Sequence, residues 1–581
     1  MIILGINAYH PDSSACILID GKIKFAIEEE RVNRIKHWSG FPVLSIKECL
    51  FSENISIKDV DFIAVNQDFF SNFFYKMSYV ILKRPQFNFL INNFLNKKKR
   101  LNILNIIEDE IGDLNKKCKL INIDHHLCHV ASAVFDSNYE KSVNLSIDGF
   151  GDFASLTWGI SEKNNIKIDD RVLFPHSLGI FYEAFTQFLG FKNYGDEYKV
   201  MGLSSLGKPT ELKKLENIIS LKRSGKFLLN LDYFNHQKYA NSYSWDGFSP
   251  KQETLFDLNK IKKLFGEPRE KDSEITENYK NIAASVQACY ENVFLGILNY
   301  VYDKFKIDKL TLSGGCAQNS LANGKIINNT SFKSLFVPSN PGDAGGAVGA
   351  AYCAWYKISK SRPIKNQTAY LGNSFSNNYI ENIISKNKLR LQNENCSFFY
   401  IADEDHLCKL IAEEISKKKV IGWFQGKMEW GPRALGNRSI ISDPRNSNIK
   451  DLLNIKIKRR ESFRPFAPSI LLEYAKDWFE DFNDEELYMS RVLKFKKDKI
   501  KLVPGVVHID GTGRLQTVKQ EDNKKYYNLI ENFKFITGIP LVLNTSFNEN
   551  EPIVLSPEQA LDCFLRTKMD ILVLENWIVS R

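Results

Sequence analysis

The sequence lacks the signals that would place it outside the cell. None of its ten cysteines forms a Cys-x-x-Cys pair, so a disulfide framework is not predicted and reduced, partly buried thiols are expected. Met1 leads directly into the strand-like run Ile2–Ile6 without a basic segment before it, which is unlike a signal peptide. Both absences predict a cytoplasmic protein.

A long apolar run is also missing. The most apolar candidate segment, residues 69–95, is interrupted by lysine, arginine and proline between Lys76 and Pro85. No stretch therefore reaches the roughly 18 apolar residues that a membrane span needs. The basic run Lys97–Arg100 is interpreted as a solvated surface rather than a lipid or RNA site. The net charge of +9 over 581 residues is compatible with anionic ligands and does not indicate nucleic acid.

The chain has the composition of a globular protein with more than one domain. Apolar residues make up 43% and charged residues 25%, and 581 residues exceed one ordinary core. A basic, polar stretch at residues 357–367 is interpreted as a linker. The predicted domains are residues 1–356 and residues 368–581.

A strand–turn–strand pattern occurs twice in the first domain. Residues 4–19 and residues 145–160 each contain two apolar runs joined by a turn. The first run of each copy ends with a polar residue, Asn7 or Asp148. Actin-like and sugar-kinase-like folds use such a repeat to hold phosphates between two lobes, and two copies alone are compatible with that class without establishing it.

Two glycine-rich segments follow in the same domain. Residues 313–319 come after a short strand and open a helix, and residues 341–350 open another. Small residues allow backbone N–H groups and a helix N-terminus to meet a phosphate, although close helix packing would give the same pattern. The candidate nucleotide-binding residues are Gly314, Gly315, Asn319, Gly345 and Gly346.

A histidine pair predicts a metal site. His125 and His129 are four residues apart, so on a helix they lie on one face. Asp148 and Asp343 each follow a strand at a predicted ligand-facing turn and would complete a His₂Asp₂ set. This set favours iron, zinc or manganese with an open coordination position, whereas a polar helix edge is the plainer interpretation of the histidines alone.

The second domain contains a dense cationic stretch. Ten lysines and arginines lie between Lys427 and Arg464, among prolines, glycines and large apolar residues. Arginines on rigid loops are suited to bidentate phosphate recognition. We therefore predict a small-molecule phosphate site rather than a solvated basic surface or a nucleic-acid patch.

Taken together, ordered motifs along nearly the whole chain resemble one family, the antibiotic and nodulation-factor O-carbamoyltransferases. The segments that carry the resemblance are residues 5–15, 28–31, 36–42, 125–129, 195–203, 313–319, 341–350, 431–439, 463–468, 510–518 and 544–548. So many matching segments in the same order make the resemblance highly specific.

The resemblance implies two activities. The N-terminal domain is expected to be a duplicated α/β domain similar to the tRNA threonylcarbamoyl transferase, of the actin-like class. The C-terminal domain is expected to be similar to the threonylcarbamoyl-adenylate synthase, an α+β fold. The second would use carbamoyl phosphate and ATP with Mg²⁺ to make carbamoyl-adenylate, and the first would pass the carbamoyl group to a hydroxyl of a small molecule such as a sugar or antibiotic.

The resemblance also implies residue roles. It assigns metal binding, with iron favoured, to His125, His129, Asp148 and Asp343, and the role of general base to His10. It assigns the synthase site to Arg433, Arg438, Lys458, Arg464, Asn544 and Ser546. No nucleic-acid or membrane partner is expected, a homodimer stays open, and the acceptor and the role of residues 69–105 are not indicated.

Two other functions use the same features. A tRNA-modifying factor would need a nucleic-acid surface, which the modest charge does not favour. A non-catalytic nucleotide sensor of the actin-like class would need neither the arginine-rich second domain nor the histidine pair.

Overall fold

The computed structural model describes residues 1–83, 102–238, 243–244 and 248–581. The chain forms two compact units, Met1–Asn366 and Gln367–Arg581. The second part of the apolar candidate segment, from residue 84 onward, and the Lys97–Arg100 run lie outside the described residues. Within the described ranges, no helix is long and apolar enough to cross a membrane.

The first sheet of residues 1–366 begins at the N-terminus. Its strands are Ile2–Asn7, Ser14–Ile19, Lys22–Glu28, Phe62–Val65 and Lys119–Asn122. Their order in the sheet is third, second, first, fourth and fifth. The first three pair antiparallel, and the last two run parallel to the first. The second and third strands are joined by a hairpin turn in which Asp20 and Gly21 both have positive φ, as a tight turn between strands requires.

The second sheet repeats this topology. Its strands are Lys141–Gly151, Ala154–Glu162, Asn165–Leu173, Lys309–Ser313 and Ser334–Phe336. The order is again third, second, first, fourth and fifth, with the same antiparallel and parallel pairings. The repeat that residues 4–19 and 145–160 predict therefore extends over two whole sheets.

Two helices of this unit carry or adjoin the predicted metal ligands. The helices His125–Asp136 and Gly345–Ser359 pack closely because Gly349 has no side chain: a Cβ there would lie 1.9 Å from the carbonyl oxygen of Cys128. The other helices are Glu29–Asn33, Val43–Ser52, Phe73–Lys83, Ile103–Glu110, Leu178–Phe188, Glu197–Ser204, Leu212–Leu215, Leu258–Phe265, Glu277–Phe305 and Ser320–Asn329. Two small hairpins pair Ile219–Leu221 with Phe227–Leu229 and Tyr243–Ser244 with Lys251–Gln252.

The stretch predicted as a linker is largely attached to the first unit. Its first residues continue the helix that ends at Ser359. Arg362 then donates to the carbonyl oxygens of Val134, Ser137 and Lys163, and Ile364 bonds to the hairpin turn at Gly21. The basic, polar composition of residues 357–367 thus reflects a surface segment held by carbonyl acceptors, and the unit boundary falls after Asn366.

The second unit contains an eight-stranded sheet. In sheet order its strands are Ser397–Tyr400, Trp577–Ser580, Ile571–Leu574, Ile421–Phe424, Arg438–Ser442, Leu541–Ser546, Ala467–Leu471 and Gln516–Val518. Its helices are Asn377–Lys386, Lys388–Asn393, Glu404–Ser416, Ile449–Asp451, Leu472–Trp478, Lys497–Ile500, Lys524–Thr537 and Pro557–Arg566, with a π-helical segment Leu452–Ile457. A small hairpin pairs Val492–Lys494 with Thr512–Arg514. As a whole, the chain is a mixed α/β protein.

Candidate functional site

The helix His125–Asp136 presents two histidines to the interior. Asp124 caps it by accepting from the Leu127 amide at 2.9 Å, and Asp152 accepts from the His125 amide at 2.9 Å. The spacing of four residues places His125 and His129 on one face, and both are fully buried. The start of this helix is therefore fixed from two sides.

Four side chains meet at this face. The Nε2 atoms of His125 and His129 are 3.0 Å apart. A carboxylate oxygen of Asp148 lies 3.1 Å from the first and 3.7 Å from the second. An oxygen of Asp343 lies 3.5 Å and 3.4 Å from the same two atoms. The structure thus brings together all four residues predicted as metal ligands.

These distances fit a single bound cation. Ligand atoms about 2.1 Å from a metal are separated by about 3.4 Å in a tetrahedron and about 3.0 Å at right angles in an octahedron. The five measured separations, from 3.0 to 3.7 Å, lie around these values. Two neutral imidazoles and two carboxylates also balance the charge of a divalent ion.

Asp148 is oriented by the first glycine-rich segment. Its Oδ1 atom accepts from the Gly315 amide at 2.9 Å, so Oδ2 faces the histidines. Gly314 permits this approach because its φ is +87° and a Cβ would lie 2.1 Å from the carbonyl oxygen of Ile147. Burial opposes ionisation of Asp148, but hydrogen bonds from His125 and His129 hold its pKa well below the usual value.

The remaining ligands respond to the same charges. Burial and the charge of Asp148 raise the pKa of Asp343 to about 6. Burial opposes protonation of His129, yet the two aspartates raise its pKa to about 9. The two carboxylates therefore favour a positive charge at this cluster.

His10 lies beside this cluster. Its ring centroid is 4.9 Å from that of His125, and its side chain is buried. The turn that carries it is shaped by Asn7, whose amide donates to the carbonyl oxygens of Pro11 and Asp12. The residue predicted as general base is therefore adjacent to the predicted metal ligands.

The glycine-rich segments have partners inside the protein. The amides of Gly314, Gly345 and Gly346 donate to backbone carbonyl groups, and that of Gly315 donates to Asp148. Asn319 caps the helix Ser320–Asn329 after a short 3₁₀ turn, and its amide bonds to Gln287. These residues shape the cluster, and their contact with a phosphate stays a prediction.

Arginines gather in the second unit. Burial, followed by the charges of three neighbouring arginines, holds the pKa of Arg514 well below its usual range. The neighbours are Arg433, Arg460 and Arg464. Arg433 and Arg464 are among the predicted phosphate ligands. Four guanidinium groups this close to one another would favour an anion, and phosphate binding here stays a prediction.

The other predicted synthase residues fall into two groups. Lys458 is buried and donates to Ser546 and to Asn548 Oδ1, the latter at 2.6 Å. Asn544 donates to Ser469 and Gln516 in the middle of the eight-stranded sheet. Both groups hold the end of the strand Leu541–Ser546.

Arg438 has a different place from the one predicted. Its guanidinium group is fully buried, stacks 3.6 Å from the ring centroid of Phe424, and donates to four backbone carbonyl groups. Its NH1 and NH2 groups are thereby engaged, because the strand end encloses the side chain. Arg438 stabilises the loop before it and is corrected from phosphate ligand to structural residue.

Sequence reasoning missed several residues near the two sites. Arg460 and Arg514 belong to the arginine cluster; Arg460 lies in the predicted cationic stretch without a role of its own, and Arg514 stands in a motif of the family resemblance that was given no role. Buried Glu429 accepts from three amides of the loop that carries Arg433, including those of Leu435 and Asn437. In the sequence, the acidic residue just before the cationic loop was the sign from which this support of the loop could have been predicted.

A second group of polar side chains, Asp12, Glu30 and His37, also lies in the first unit. His37 Nδ1 is 2.8 Å from a carboxylate oxygen of Asp12, and Glu30 accepts from the His37 amide. Burial opposes protonation of His37, but Asp12 raises its pKa to about 9. Both Asp12 and His37 have positive φ, a strained conformation often found at functional sites.

Comparison with known proteins agrees along both units. The family model described as the carbamoyltransferase N-terminus matches residues 2–352, and that described as the carbamoyltransferase C-terminus matches residues 412–581. An uncharacterized protein of Synechocystis is 37% identical over 100% of this chain and 96% of its own length. Nodulation protein NolNO of Sinorhizobium fredii is 34% identical over 99% of this chain and 80% of its own length.

The solved structures that resemble this chain are less similar to it than these relatives are. Component A of (R)-2-hydroxyglutaryl-CoA dehydratase from Acidaminococcus fermentans is 16% identical and covers 62% of this chain and 99% of its own, with a TM-score of 0.33. That similarity is too low to carry an argument. The two family models and the near full-length relatives confirm the resemblance in the motifs. The chain belongs to the carbamoyltransferase family, and it is an enzyme that transfers a carbamoyl group to an acceptor.

Proposed function

We propose that this enzyme is an ATP-dependent O-carbamoyltransferase with two sites. Residues 367–581 would make carbamoyl-adenylate from carbamoyl phosphate and ATP with Mg²⁺, as a domain similar to the threonylcarbamoyl-adenylate synthase. Residues 1–366 would transfer the carbamoyl group to a small-molecule hydroxyl, as an actin-like domain. The observation that carries the proposal is that the first unit brings four buried metal-donor side chains together and the second brings four arginines together.

The arginine cluster suits the first reaction. Water would hydrolyse carbamoyl phosphate to carbamate and phosphate, and a carbamate oxygen would then attack the α-phosphorus of ATP. The bond between the α-phosphorus and the bridging oxygen breaks, and pyrophosphate leaves. Substrates and products of both steps carry several negative charges, which Arg433, Arg464 and Arg514 would neutralise through planar, bidentate contacts.

The buried four-residue cluster suits the second reaction. His125, His129, Asp148 and Asp343 offer the donor set and separations of a divalent transition-metal site. Such a metal, when bound, supplies Lewis-acid stabilisation of charge on phosphate oxygens. The charge balance of the four ligands allows iron, zinc or manganese, and the family resemblance favours iron.

His10 is the candidate base for transfer. The acceptor hydroxyl attacks the carbamoyl carbon, the bond from that carbon to the phosphate oxygen breaks, and AMP leaves. The hydroxyl proton must pass to a base, and the His10 ring lies beside the cluster, 4.9 Å between centroids from His125. Such catalysis typically contributes about 10²–10⁴-fold to the rate.

The test measures both half-reactions in the full-length protein. The enzyme is incubated with ATP, Mg²⁺, carbamoyl phosphate and a panel of sugars and other alcohols, and pyrophosphate and carbamoylated products are quantified. Arg464→Lys should lose the pyrophosphate release that depends on carbamoyl phosphate, because lysine lacks the planar fork. Arg459→Lys is the matched control, since Arg459 is 65% exposed and pairs with Glu549. Equal release from both variants would contradict the assignment of the first site.

A further inference from the structure

An aromatic cavity opens in the first unit beside the strand Asn165–Leu173. Its volume is about 390 Å³, within the usual range of small-molecule sites. Its walls include Tyr79, Phe174, Leu228 and Leu231. Residues of these types bind the apolar part of a ligand rather than a charged group.

A chain of rings connects this cavity with the metal-ligand cluster. The Phe174 ring centroid lies 5.1 Å from that of Tyr79 and 5.1 Å from that of Phe150. Phe150 is two residues from Asp148, and two residues of extended chain span about 7 Å. The cavity wall therefore continues into the turn that carries a predicted metal ligand.

Hydrogen bonds hold the same region to the cluster. Asp152 accepts from the amides of Asp68 and His125, and its carbonyl oxygen accepts from the Asn72 side chain at 2.8 Å. The segment before the helix Phe73–Lys83 is thereby fixed to the start of the histidine helix. A ligand in the cavity would be positioned relative to the site of transfer.

Two of the cations that line the cavity are paired, whereas Lys83 also lines it. Arg171 donates to Asp124 at 2.7 Å, and Lys226 lies 2.8 Å from Asp170. Apolar surface continues outward from Tyr79 along its helix, where Tyr75 and Leu82 lie within one turn on the same side and are 60% and 78% exposed. The cavity and its mouth thus offer a ligand mainly apolar contact area rather than charge.

From this geometry we infer that the aromatic cavity binds an apolar group of the carbamoyl acceptor. The acceptor is then amphipathic: its hydroxyl-bearing part lies at the metal-ligand cluster, and an alkyl or aromatic part fills the cavity. This inference rests on the proposed transfer to a hydroxyl in the first unit. It narrows the acceptor class from any alcohol to alcohols that carry an apolar substituent.

The test compares two sugars that differ only in apolar length. Methyl β-glucoside and octyl β-glucoside, the latter below its micelle concentration, are titrated into the full-length enzyme by calorimetry. Each buried methylene is worth roughly a three- to fourfold gain in affinity, so octyl glucoside should bind at least about tenfold more tightly. Equal affinities for the two sugars would overturn the inference.

Matched variants locate the binding. Leu228 lines the cavity and is 40% exposed, whereas Leu221 lies on the paired strand, is 41% exposed and is not among the residues that line the cavity. Leu228→Asp and the space-filling Leu228→Trp should remove the preference for octyl glucoside, and Leu221→Asp should keep it. An equal loss in Leu221→Asp would show that binding is not in the cavity. Unchanged pyrophosphate release and metal content in each variant show that it is folded.

Other occupants give different outcomes. If vesicles of phosphatidylglycerol bind and monomeric octyl glucoside does not, the surface contacts a membrane and the inference is wrong. If Leu228→Asp converts a dimer to a monomer in light scattering without affecting the sugars, the surface belongs to a second copy and the inference is again wrong. If the wild type releases no pyrophosphate but still binds octyl glucoside, the proposed reaction is contradicted. The assignment of the cavity as a site for an apolar group then still holds.

Discussion

Replacement of Arg514 by methionine should make the second unit more stable without anions and less responsive to them. Arg514 is partly buried, and burial and three neighbouring arginines hold its pKa well below the usual range, so the folded unit carries unfavourable charge. Methionine keeps much of the volume and removes the charge. Buried ionic groups replaced by apolar ones often stabilise by about 1–4 kcal/mol, and partial solvent exposure favours the lower end, near 1 kcal/mol.

The anion response can be estimated. A ligand at one hundred times its Kd stabilises the folded state by about 2.7 kcal/mol. Unfolding entropy of roughly 2.1 cal/mol/K per residue gives roughly 450 cal/mol/K for residues 367–581. Phosphate should therefore raise the Tm of this unit by about 6 °C. Loss of one charged hydrogen-bond donor, worth about 1.5–3 kcal/mol, should reduce the same shift to about 3 °C or less.

The assay is calorimetry of the full-length protein with phosphate varied at constant ionic strength, because salt alone screens the cluster. The transition that moves with phosphate identifies the second unit. Arg459→Met, which removes an exposed arginine, should respond to phosphate like the wild type. A destabilised Arg514→Met variant with a full phosphate shift would refute the interpretation of this cluster as an anion site.

Four further changes test the first unit. His125→Ala should lose the bound transition metal, and equal metal in elemental analysis of variant and wild type would contradict the assignment. Gly349→Ala should destabilise this unit by about 1–3 kcal/mol in thermal melts, since the added methyl group meets a carbonyl oxygen at 1.9 Å. Asp12→Asn should lower the pKa of His37 from about 9 by about 1–3 units in histidine NMR. Because that pKa is raised on folding, wild-type stability from His37 is complete below pH 6.5 and is lost as pH rises through about 9. His10→Asn should abolish transfer to the alcohol and leave pyrophosphate release within a few-fold of wild type; survival of transfer would show that His10 is not the base.

The sequence was informative where a local pattern decides the position of a side chain. The spacing of His125 and His129 defines a helix face, and the polar end of a buried strand placed Asp148. Tertiary packing decided the rest. Arg433 and Arg438 look alike in a cationic loop, but only the fold shows that the second is enclosed by carbonyl groups. Arg514 is distant along the chain from the loop that it joins.

The details of helix capping and of the boundary between the units also could not be predicted from the sequence. Ser556 and Gln559 have the spacing of a capping box, but Ser556 accepts from the Gln559 amide while the Gln559 side chain accepts from the Leu555 amide instead of the Ser556 amide. The basic composition of residues 357–367 resembles a linker, yet backbone carbonyl groups of the first unit bind Arg362. Composition alone does not distinguish a free segment from one bound at the surface.

The two copies of the repeated sheet carry different polar side chains near the end of their first strands, an amide in one and a carboxylate in the other. In the first, the Asn7 amide nitrogen closes its own turn by donating to two carbonyl groups, which a carboxylate could not do. In the second, Asp148 has only acceptors and turns one oxygen toward the histidines. The two sheets thus share strand order and pairing and differ chemically at this position. In the proposed function, the second half would supply carboxylate charge for a cation and the first would supply His10, so one duplicated scaffold would provide two chemically unlike sides of the transfer site.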